Sequence, residues 1–585
     1  MIQFRTLFLS VFGLFMMACA REEIIVSEIS VQDTPIGMQA QKGRLRLKFK
    51  SRFAGKAEQA VYTRAGTGDI RIVSMKRLFP FAGKFEERTR KAGLHLWYEV
   101  EFDEQTPVTR ALALLGDTTE IEIAEPVYII RNTGGEGTVP VRSAGERNSD
   151  GTAPFNDPEL SRQWHYSNTG ELPNSVAGAD INLFAAWQKN QGSREVIVAV
   201  IDGGIDYRHE DLTGNVGNPA ELFGEPGVDD DGNGYIDDIY GWNFINGTNQ
   251  IEADDHGTHV AGTIGAENNN GVGVCGIAGG HGGNTGVWLL SCQLFGTIDG
   301  REVSASFPEM IKYAADAGAV IAQNSWGHDN ITYLPRADQE AIDYFIQYAG
   351  VDERGEQTGP MKGGVVIFAA GNENKDYRTY PAAYEKVVSV AAYAPDYKKS
   401  WYSNFADWVD IAAPGGTYGY GRKYNGECPV YSTLPDNQYG YMQGTSMACP
   451  HVSGIAALIV SQFGGPGFTP EKLLAHLYQG TRDIDVYNPE YAGRLGIGAA
   501  DAYLALAEDQ GIAPQAVDTL YCGNTSGVVD VTWQISADED DGKPFQYLVC
   551  WSEDPLGQLD PGRLPEGVAS VRVTVPRAGQ VGDTM

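Results

Sequence analysis

The sequence predicts an α/β protein whose largest domain, residues 156–508, is built on a doubly wound, mainly parallel sheet. Short apolar runs without alternation recur between glycines there, which is typical of strands buried on both faces. Helix-like stretches, 307–317 and 338–349 among them, lie between the runs, as in a sheet covered by helices on both sides. Glycine is abundant, at 72 of 585 residues, which favours a loop-rich α/β body over a helical bundle. The predicted strands are 196–200, 287–294, 318–322, 365–370, 387–392 and 409–412.

The first 42 residues are predicted to be an export signal and a tether. Residues 6–17 are mostly Leu, Phe, Val and Met, an apolar run too short to cross a bilayer. The run ends in Met-Met-Ala-Cys at 16–19, which resembles a bacterial lipobox, so residues 1–19 are predicted to be a signal peptide that frees Cys19 for lipidation. An ordinary secretory signal cleaved beside Cys19 is the alternative. Both predict an exported protein, anchored by lipid in the bacterial cell envelope or secreted, with residues 20–42 as a polar tether.

A small α+β domain is predicted over residues 43–131. Its first segment alternates charged and apolar side chains, as a half-buried strand does, and a second alternating segment follows later. Few elements and one buried face indicate a small domain rather than a second large one. The predicted elements are strands at 44–50 and 94–102, a helix at 108–115 and a closing strand at 121–130.

Residues 132–155 are predicted to be a linker, because Gly, Ser, Thr, Pro and charged residues dominate there. Beyond residue 518 three alternating strands, 528–535, 545–551 and 568–575, predict the start of an antiparallel sandwich. This segment resembles a fibronectin type III domain. Such domains need about 90–100 residues, so the stretch 518–585 is expected to be truncated or atypical.

Charge is distributed unevenly along the chain. The formal net charge is −32, which excludes a nucleic-acid partner and suits calcium and cationic partners. Residues 41–131 carry 17 Lys and Arg against 12 Asp and Glu, a net of +5, whereas the rest of the chain has a net of −37. A basic segment therefore precedes an acidic body, and docking of one on the other is expected.

Three short motifs in the α/β body carry chemically capable side chains. The strand 196–200 runs into Asp202, and ligands of open α/β sheets bind beyond the carboxyl ends of strands. His256 and His259 lie three residues apart with no Glu between them, which does not fit the zinc pair of a His-Glu-x-x-His motif. Ser446 precedes an apolar helix, where backbone N–H groups favour an anion. Taken singly, Asp202 reads as a loop residue and Ser446 as a helix cap.

Together the three motifs resemble those of the subtilisin-like serine proteases. The matching blocks are Asp-Gly-Gly-Ile-Asp from 202, His-Gly-Thr-His-Val-Ala-Gly from 256 and Gly-Thr-Ser-Met-Ala-x-Pro-His from 444. The resemblance implies that Ser446 is the nucleophile, that His256 is the general base and acid, and that Asp202 orients His256. His259 and His451 are expected to be structural.

The same resemblance implies the rest of the catalytic apparatus. Residues 369–372, Ala-Ala-Gly-Asn, match the block that places the side chain of Asn372 in the oxyanion hole together with the backbone N–H of Ser446. Ser325, Trp326 and Gly327 are expected to pair with the substrate backbone and to line the specificity pocket, facing a strand near 299–303. An asparagine that serves only as a turn residue is the alternative for Asn372.

Calcium is the predicted metal. Residues 229–238 alternate side-chain oxygens around glycines, a pattern that suits a hard cation, and an acidic surface turn is the alternative. A second calcium site is implied by the resemblance alone. The predicted ligands are Asp229, Asp231, Asn233, Tyr235 and Asp237 at the first site, and Asp157, Asp211, Asn270, Val272 and Val274 at the second.

The sequence therefore predicts an exported, calcium-stabilised serine endopeptidase that is made as a zymogen. Residues 43–131 stand where subtilases carry an inhibitory pro-segment, so the chain's own N-terminal domain is expected to be an intramolecular inhibitor. Polypeptides are the expected substrates, and only the lipid anchor is expected to contact a membrane. Two alternatives remain, a maturase that cuts one partner protein and a catalytically dead binding protein or adhesin on the same fold.

Overall fold

The computed structural model places most of the chain after residue 39. The predicted signal peptide, Cys19 and the tether up to residue 39 lie outside the described residues, as does most of the predicted linker 132–155. The residues that the structure describes are 40–56, 70–116, 119–132, 139–140, 153–329, 331–418, 428–507, 517, 520–525, 528–536, 546–552, 568–574 and 584.

A nine-stranded sheet forms the centre of the α/β body and confirms the predicted fold class. Its pairings are parallel, except that Thr481–Arg482 runs antiparallel to Ala499–Ala500. Each of the six predicted apolar runs contributes a strand, with bounds that differ by up to three residues. Across the sheet the strands are Thr481–Arg482, Ala499–Ala500, Ile411–Pro414, Val388–Tyr393, Val365–Ala369, Ile321–Asn324, Ile197–Asp202, Trp288–Gln293 and Gly241–Asn243.

Helices cover both faces of this sheet because its strands are apolar on both sides. In the strand Ile197–Asp202, alternate residues enter two different apolar clusters. One cluster contains the histidine helix, Asp255–Gly265, and the serine helix, Thr445–Phe463. The other contains the helices Phe307–Asp316 and Arg336–Tyr348. This arrangement is the doubly wound layer structure that the sequence predicts.

The serine helix is long and apolar enough to cross a membrane by length and composition, but most of it is buried, as expected of a core helix.

Smaller elements surround the sheet. The remaining α-helices of this body are Leu183–Ala186, Pro219–Leu222, Pro470–Gln479 and Ala502–Ala505, and its hairpins are Phe295–Ile298 with Arg301–Ser304 and Val430–Leu434 with Gln438–Met442. The strand Val139–Pro140 pairs with the second of these hairpins.

The small N-terminal domain is a four-stranded antiparallel sheet with its own apolar core. Residues 94–96 form a 3-10 turn after Gly93, so the strand predicted from residue 94 begins at Trp97. The closing strand leaves the sheet after Tyr128, because residues 130–132 pair elsewhere. The strands, in sheet order, are Ile72–Arg77, Trp97–Phe102, Ala40–Phe49 and Ile121–Tyr128, and the α-helices are Glu86–Lys91 and Val108–Gly116.

Within the described residues of its sheet and helices, 40–128, three basic side chains pair with three carboxylates of the α/β body. The pairs are Arg46 with Asp338 at 2.8 Å, Lys48 with Glu340 at 2.7 Å and Arg88 with Asp316 at 2.5 Å. The Arg88 pair is almost fully buried, and Arg88 also donates hydrogen bonds to the Tyr344 hydroxyl and the Val351 carbonyl. The opposite charges that the sequence places in the two segments therefore meet at their interface.

The C-terminal region contributes four strands among its described residues. They form two separate antiparallel pairs, Leu520–Thr525 with Val528–Trp533 and Gln546–Trp551 with Ala569–Thr574. The first of the four was not expected from the sequence. The fibronectin type III assignment stays a prediction.

Replacing Arg88 by Met is expected to lower the free energy of unfolding of the small domain by about 1–3 kcal/mol, because the buried Asp316 then loses its guanidinium partner while it keeps the Lys312 ammonium and the Tyr344 hydroxyl. The measurement is urea unfolding of a full-length chain in which Ser446 is replaced by Ala, so that the chain stays uncut. Arg90 lies on the same helix, is mostly exposed and, within the part of the chain that the structure describes, pairs with Glu86 of its own domain. Arg90→Met should change stability by less than about 0.5 kcal/mol, and equal losses in both variants would contradict a role for the buried pair.

Candidate active site

Asp202 lies at the carboxyl edge of the central sheet, where the strand Ile197–Asp202 ends. Its side chain is fully buried. The Oδ1 atom accepts a hydrogen bond from the backbone N–H of Gly203 at 2.7 Å, and Oδ2 has no partner among the described residues. A buried carboxylate needs hydrogen bonds or a positive partner, and the neighbouring histidine provides one.

His256 occupies the first turn of the histidine helix. Asp254 caps that helix by accepting hydrogen bonds from the backbone N–H groups of His256 and Gly257, both at 3.1 Å. The ring Nδ1 donates to Asp202 Oδ1 at 2.7 Å, and Nε2 has no partner among the described residues. A Cβ at position 257 would lie 2.3 Å from the Gly203 carbonyl oxygen, so glycine lets the helix approach the end of the strand.

Ser446 lies in the first turn of the serine helix, which packs against the histidine helix. Its hydroxyl donates to the Ser325 carbonyl at 3.3 Å, while the Ser325 hydroxyl donates to the Ser446 carbonyl at 2.8 Å. Ser325 directly follows Asn324, which is paired with Ile201 in the neighbouring strand. Three segments that are distant in sequence thus bring Asp202, His256 and Ser446 to one edge of the sheet.

Asn372 follows the next strand of the same edge. Its side-chain oxygen accepts hydrogen bonds from the backbone N–H and the hydroxyl of Thr445, at 2.9 and 2.8 Å. Thr445 directly precedes Ser446, so the carboxamide of Asn372 lies beside the first turn of the serine helix. A side-chain amide and a backbone N–H placed in this way are suited to stabilise an oxyanion.

Ser325, Trp326 and Gly327, which were expected to pair with the substrate, stand at the start of a short edge strand. The strand Trp326–His328 pairs antiparallel with residues 130–132 at the end of the N-terminal domain. A cavity of about 290 Å³ adjoins Gly327 and Gly371. Trp326 lines this cavity, but its ring is fully buried and packs against Phe307 and Phe368, so it belongs largely to the core.

The facing strand expected near 299–303 is a hairpin, Phe295–Ile298 with Arg301–Ser304. A cleft of about 910 Å³ lies between this hairpin and the end of the N-terminal domain. The tail strand therefore pairs on one side with Trp326–His328 and borders open space on the other.

The other two histidines of the motifs are structural in their contacts, as expected. His259 Nε2 lies 3.1 Å from the Val430 carbonyl, and His451 bonds to the Met447 carbonyl and to His165. Burial lowers the pKa of both His259 and His451 to about 3, which keeps their rings neutral.

The sequence model of the subtilase family matches residues 193–498, and the model described as the N-terminal of the subtilase family matches residues 55–170. The chain belongs to the subtilase family. It is 34% identical over 279 residues to a thermophilic serine proteinase of Bacillus sp. strain AK1, a match that covers 47% of this chain and 55% of that protein. It is 30% identical over 348 residues to the halolysin-like extracellular serine protease Nep of Natrialba magadii, with 58% and 54% covered.

The chain thus spans about half the length of these two curated relatives. Among solved structures it resembles fervidolysin from Fervidobacterium pennivorans, a keratinolytic enzyme related to subtilisin. The TM-score is 0.53 at 18% identity, with 93% of this chain and 78% of that chain covered. At this identity the likeness shows a shared fold.

In this subtilase, three buried carboxylates converge beside the loop 229–238. Ligand oxygens of Glu221, Asp231 and Asp238 lie within 4.8 Å of one another, and Asp238 Oδ1 and Glu221 Oε2 have no partner among the described residues. Burial, and then the charge of Asp238, raises the pKa of Asp231 to about 8. Burial raises the pKa of Asp238 to about 6, with Glu221 adding to the effect. A divalent cation would neutralise this cluster, so the residues fit a calcium ion.

Only Asp231 of the five ligands predicted for this loop belongs to the cluster. Asn233 Nδ2 donates to Asp231 at 3.0 Å, and Tyr235 donates its hydroxyl to Glu309. The carboxylates of Asp229 and Asp237 instead accept backbone N–H groups, from Asn233 and Gly234 and from Gly227 respectively. Sequence reasoning did not single out Glu221 or Asp238. Asp238 is the last residue of the motif 229–238, which was a usable signal, whereas Glu221 precedes the motif and no sequence pattern marks it.

The residues of the second predicted calcium site also come together. Asp157 accepts the backbone N–H of Asn270 at 3.3 Å, and Asp211 accepts the side-chain amide of Asn270 at 2.8 Å and the N–H of Val274 at 2.7 Å. The N–H of Val272 donates to the Asn270 side chain. Burial raises the pKa of Asp157 and Asp211, and the charge of Asp157 adds to the effect at Asp211, which a bound cation would relieve.

Asp254 was also missed from the sequence, and it bears on His256. Burial alone would lower the pKa of His256, but the carboxylate of Asp202, and secondarily that of Asp254, outweighs burial, so the pKa is raised.

Asp254→Asn should lower the pKa of His256, because asparagine keeps the helix cap and removes the charge. The measurement is an NMR titration of isotope-labelled histidine. The control is Asp255→Asn in the same turn, for which we expect no shift, and an unchanged His256 pKa in Asp254→Asn would contradict the electrostatic contribution.

Calcium should raise the melting temperature of the chain, because binding to the folded state alone stabilises it by about 2.7 kcal/mol at 100 times the dissociation constant. Glu221→Gln should remove part of this increment, while Asp237→Asn should retain it. The measurement is thermal unfolding with calcium and with chelator. If Asp237→Asn loses as much of the increment as Glu221→Gln, the loop binds its ion through the ligands that the sequence motif predicts.

Proposed function

We propose that this subtilase is an exported serine endopeptidase, made as a zymogen, that hydrolyses polypeptides through Asp202, His256 and Ser446. The observation that carries the proposal is the hydrogen bond of 2.7 Å between His256 Nδ1 and Asp202 Oδ1 at the sheet edge that also holds Ser446. This bond fixes the tautomer in which Nε2 is the basic nitrogen. The curated relatives with matching sequences are serine proteases, which supports the same activity here.

The first half of the reaction follows from this geometry. The Ser446 hydroxyl rotates away from the Ser325 carbonyl towards His256 Nε2, which takes its proton as Oγ attacks the substrate carbonyl. Asp202 stabilises the resulting imidazolium. The oxyanion receives hydrogen bonds from the Asn372 amide and the Ser446 N–H, and loss of such a donor costs on the order of 2.7–4 kcal/mol of barrier.

Collapse of the intermediate expels the amine, which takes the proton from His256 and leaves an acyl group on Ser446 Oγ. A water molecule then attacks the acyl carbonyl while His256 accepts its proton. The second tetrahedral intermediate releases the acid and returns the proton to Ser446. Calcium supplies no group to these steps, and at the two carboxylate sites it would hold loops of the folded body.

Latency is supported by the position of the N-terminal domain. Residues 130–132 occupy the edge of Trp326–His328, so a substrate cannot pair there until this tail leaves. Glu125 strengthens the contact by accepting the backbone N–H groups of Arg336 and Ala337 at the start of a helix, at 2.8 and 3.1 Å. The domain at 43–131 would therefore be the chain's own inhibitor, and the linker 132–155 would be where cleavage frees it.

Export and anchoring form the rest of the proposal. The signal-like residues 1–19 support export, and the relative from Natrialba magadii is described as extracellular. The lipobox-like end supports lipidation of Cys19, and lipid would then be the only contact with the cell envelope.

Ser446→Ala should abolish self-cleavage of the linker and lower kcat by several orders of magnitude, because the nucleophile acts as a unit with its base. The measurement is N-terminal sequencing and peptide hydrolysis for the variant made alone. On the same helix, Ser461 donates its hydroxyl to the Ala457 carbonyl and to no other of the described residues, so Ser461→Ala should behave as wild type. Cleavage of the Ser446→Ala chain at the wild-type bond would show that another protease matures it.

A further inference from the structure

The end of the N-terminal domain lies on the body as an added antiparallel strand. Arg131 is paired with Gly327, Ile130 with His328, and the backbone N–H of Asp329 donates to the Ile129 carbonyl at 3.0 Å. A polypeptide substrate that pairs with the same strand edge would place its own side chains at the positions that Ile130 and Arg131 occupy. The contacts of the tail therefore indicate which residues of the body the side chain at each of these substrate positions would contact.

Side chains of the two strands alternate between two faces. Ile130 is buried together with His328 opposite it. Arg131 lies on the other face, opposite Gly327, and Asp329 lies two residues beyond Gly327 and therefore on that same face. Diagonal neighbours of this kind are within reach of long side chains.

Gly327 makes this diagonal contact possible. Because glycine has no side chain, the arginine side chain crosses the strand and its Nη2 atom reaches Asp329 Oδ2 at 2.8 Å. The Arg131 side chain is 68% exposed, whereas the Asp329 side chain is only 20% exposed, so the carboxylate is mostly buried and the arginine lies over it at the surface.

The surroundings of Asp329 reinforce its preference for a cation. Burial raises the pKa of the Tyr377 phenol, and the charges of Glu373 and Asp329 add to the effect, so both carboxylates act on the same ring. Arg378 also lines this cavity, and it is turned towards the Ala383 carbonyl at 3.5 Å. Two carboxylates, Asp329 and Glu373, therefore line the cavity beside Arg131 together with one further cation, Arg378.

We propose that Asp329 is a specificity determinant that selects Arg or Lys at the substrate position that Arg131 occupies. The inference rests on the proposed peptidase function and extends it to a class of substrate. An ion pair with one exposed partner contributes little, so the expected preference for Arg over Gln at this position is about two- to fivefold in kcat/KM.

The first test uses wild type after removal of its pro-segment and peptides with the sequence of residues 126–137 that carry Arg, Gln or Glu at position 131. Wild type should prefer Arg to Gln and Gln to Glu. Asp329→Asn should reduce the Arg to Gln ratio to about one, and Asp329→Lys should favour Glu. Asp343 pairs with Lys386 on the surface at 2.9 Å, and Asp343→Asn should keep the wild-type ratio. A purely structural role of Asp329 would lower the rate for all peptides equally, so an unchanged ratio in Asp329→Asn overturns the proposal.

The second test needs no catalysis and uses the full-length Ser446→Ala chain. Amide exchange of residues 130–132, corrected for intrinsic rates, should rise about two- to fivefold in Arg131→Gln and in Asp329→Asn. The double variant should exchange no faster than either single variant, because each removes the same pair. If the increases in exchange rate of the two single variants multiply in the double variant, the proposed pairing of Arg131 with Asp329 is wrong. If the pairing holds but wild type hydrolyses none of the peptides, the proposed peptidase function fails while recognition of the cation by Asp329 stands.

Discussion

The site depends on one geometrical constraint, which is that neighbouring parallel strands end at the same edge of a sheet. Asn324 is in register with Ile201 on one side and with Phe368 on the other. The residues that follow these three strands, among them Ser325 and Asn372, therefore lie side by side with Asp202. The serine helix and the histidine helix begin at this edge, so the first turn of each adds its functional side chain to the row.

The N-terminal domain is held by two kinds of contact that behave differently in water. Its three-residue strand pairing is short, while its ion pairs bury cationic groups against carboxylates of the body. Asp338, for example, binds both Arg46 and His328, at 2.8 and 2.6 Å. Such pairs strongly oppose the loss of a single partner, but when whole surfaces separate, both partners regain water. Loss of a single partner should therefore destabilise the interface strongly, whereas the N-terminal domain can separate from the body as a whole.

The same domain also contacts the acidic loop beside the carboxylate cluster. The backbone N–H of Lys84 donates to the Gly232 carbonyl at 3.0 Å. That carbonyl belongs to the residue after Asp231. The negative charge of Asp238 disfavours ionisation of Asp231. Docking of the domain and neutralisation of the cluster therefore bear on the same loop, and both restrict its backbone.

Features that depend on local patterns could be predicted from the amino-acid sequence alone. Unbroken apolar runs between glycines predicted the buried parallel strands, and the three motif blocks predicted which side chains meet at their ends. The sequence did not predict the edge strand Ile72–Arg77 of the N-terminal sheet, because this strand is only partly buried and its alternation of apolar and polar residues is weak.

Which distant groups become neighbours is visible in the folded chain and not in its sequence. Glu221 joins the carboxylate cluster because the short helix Pro219–Leu222 packs beside the loop 229–238, and Asp254 lies near His256 because it caps the same helix. The contact of Arg131 with Asp329 depends on the pairing register and on the missing side chain of Gly327. Such contacts join residues that are far apart in the chain, and local periodicity carries no information about them, because they are set by the packing of whole elements.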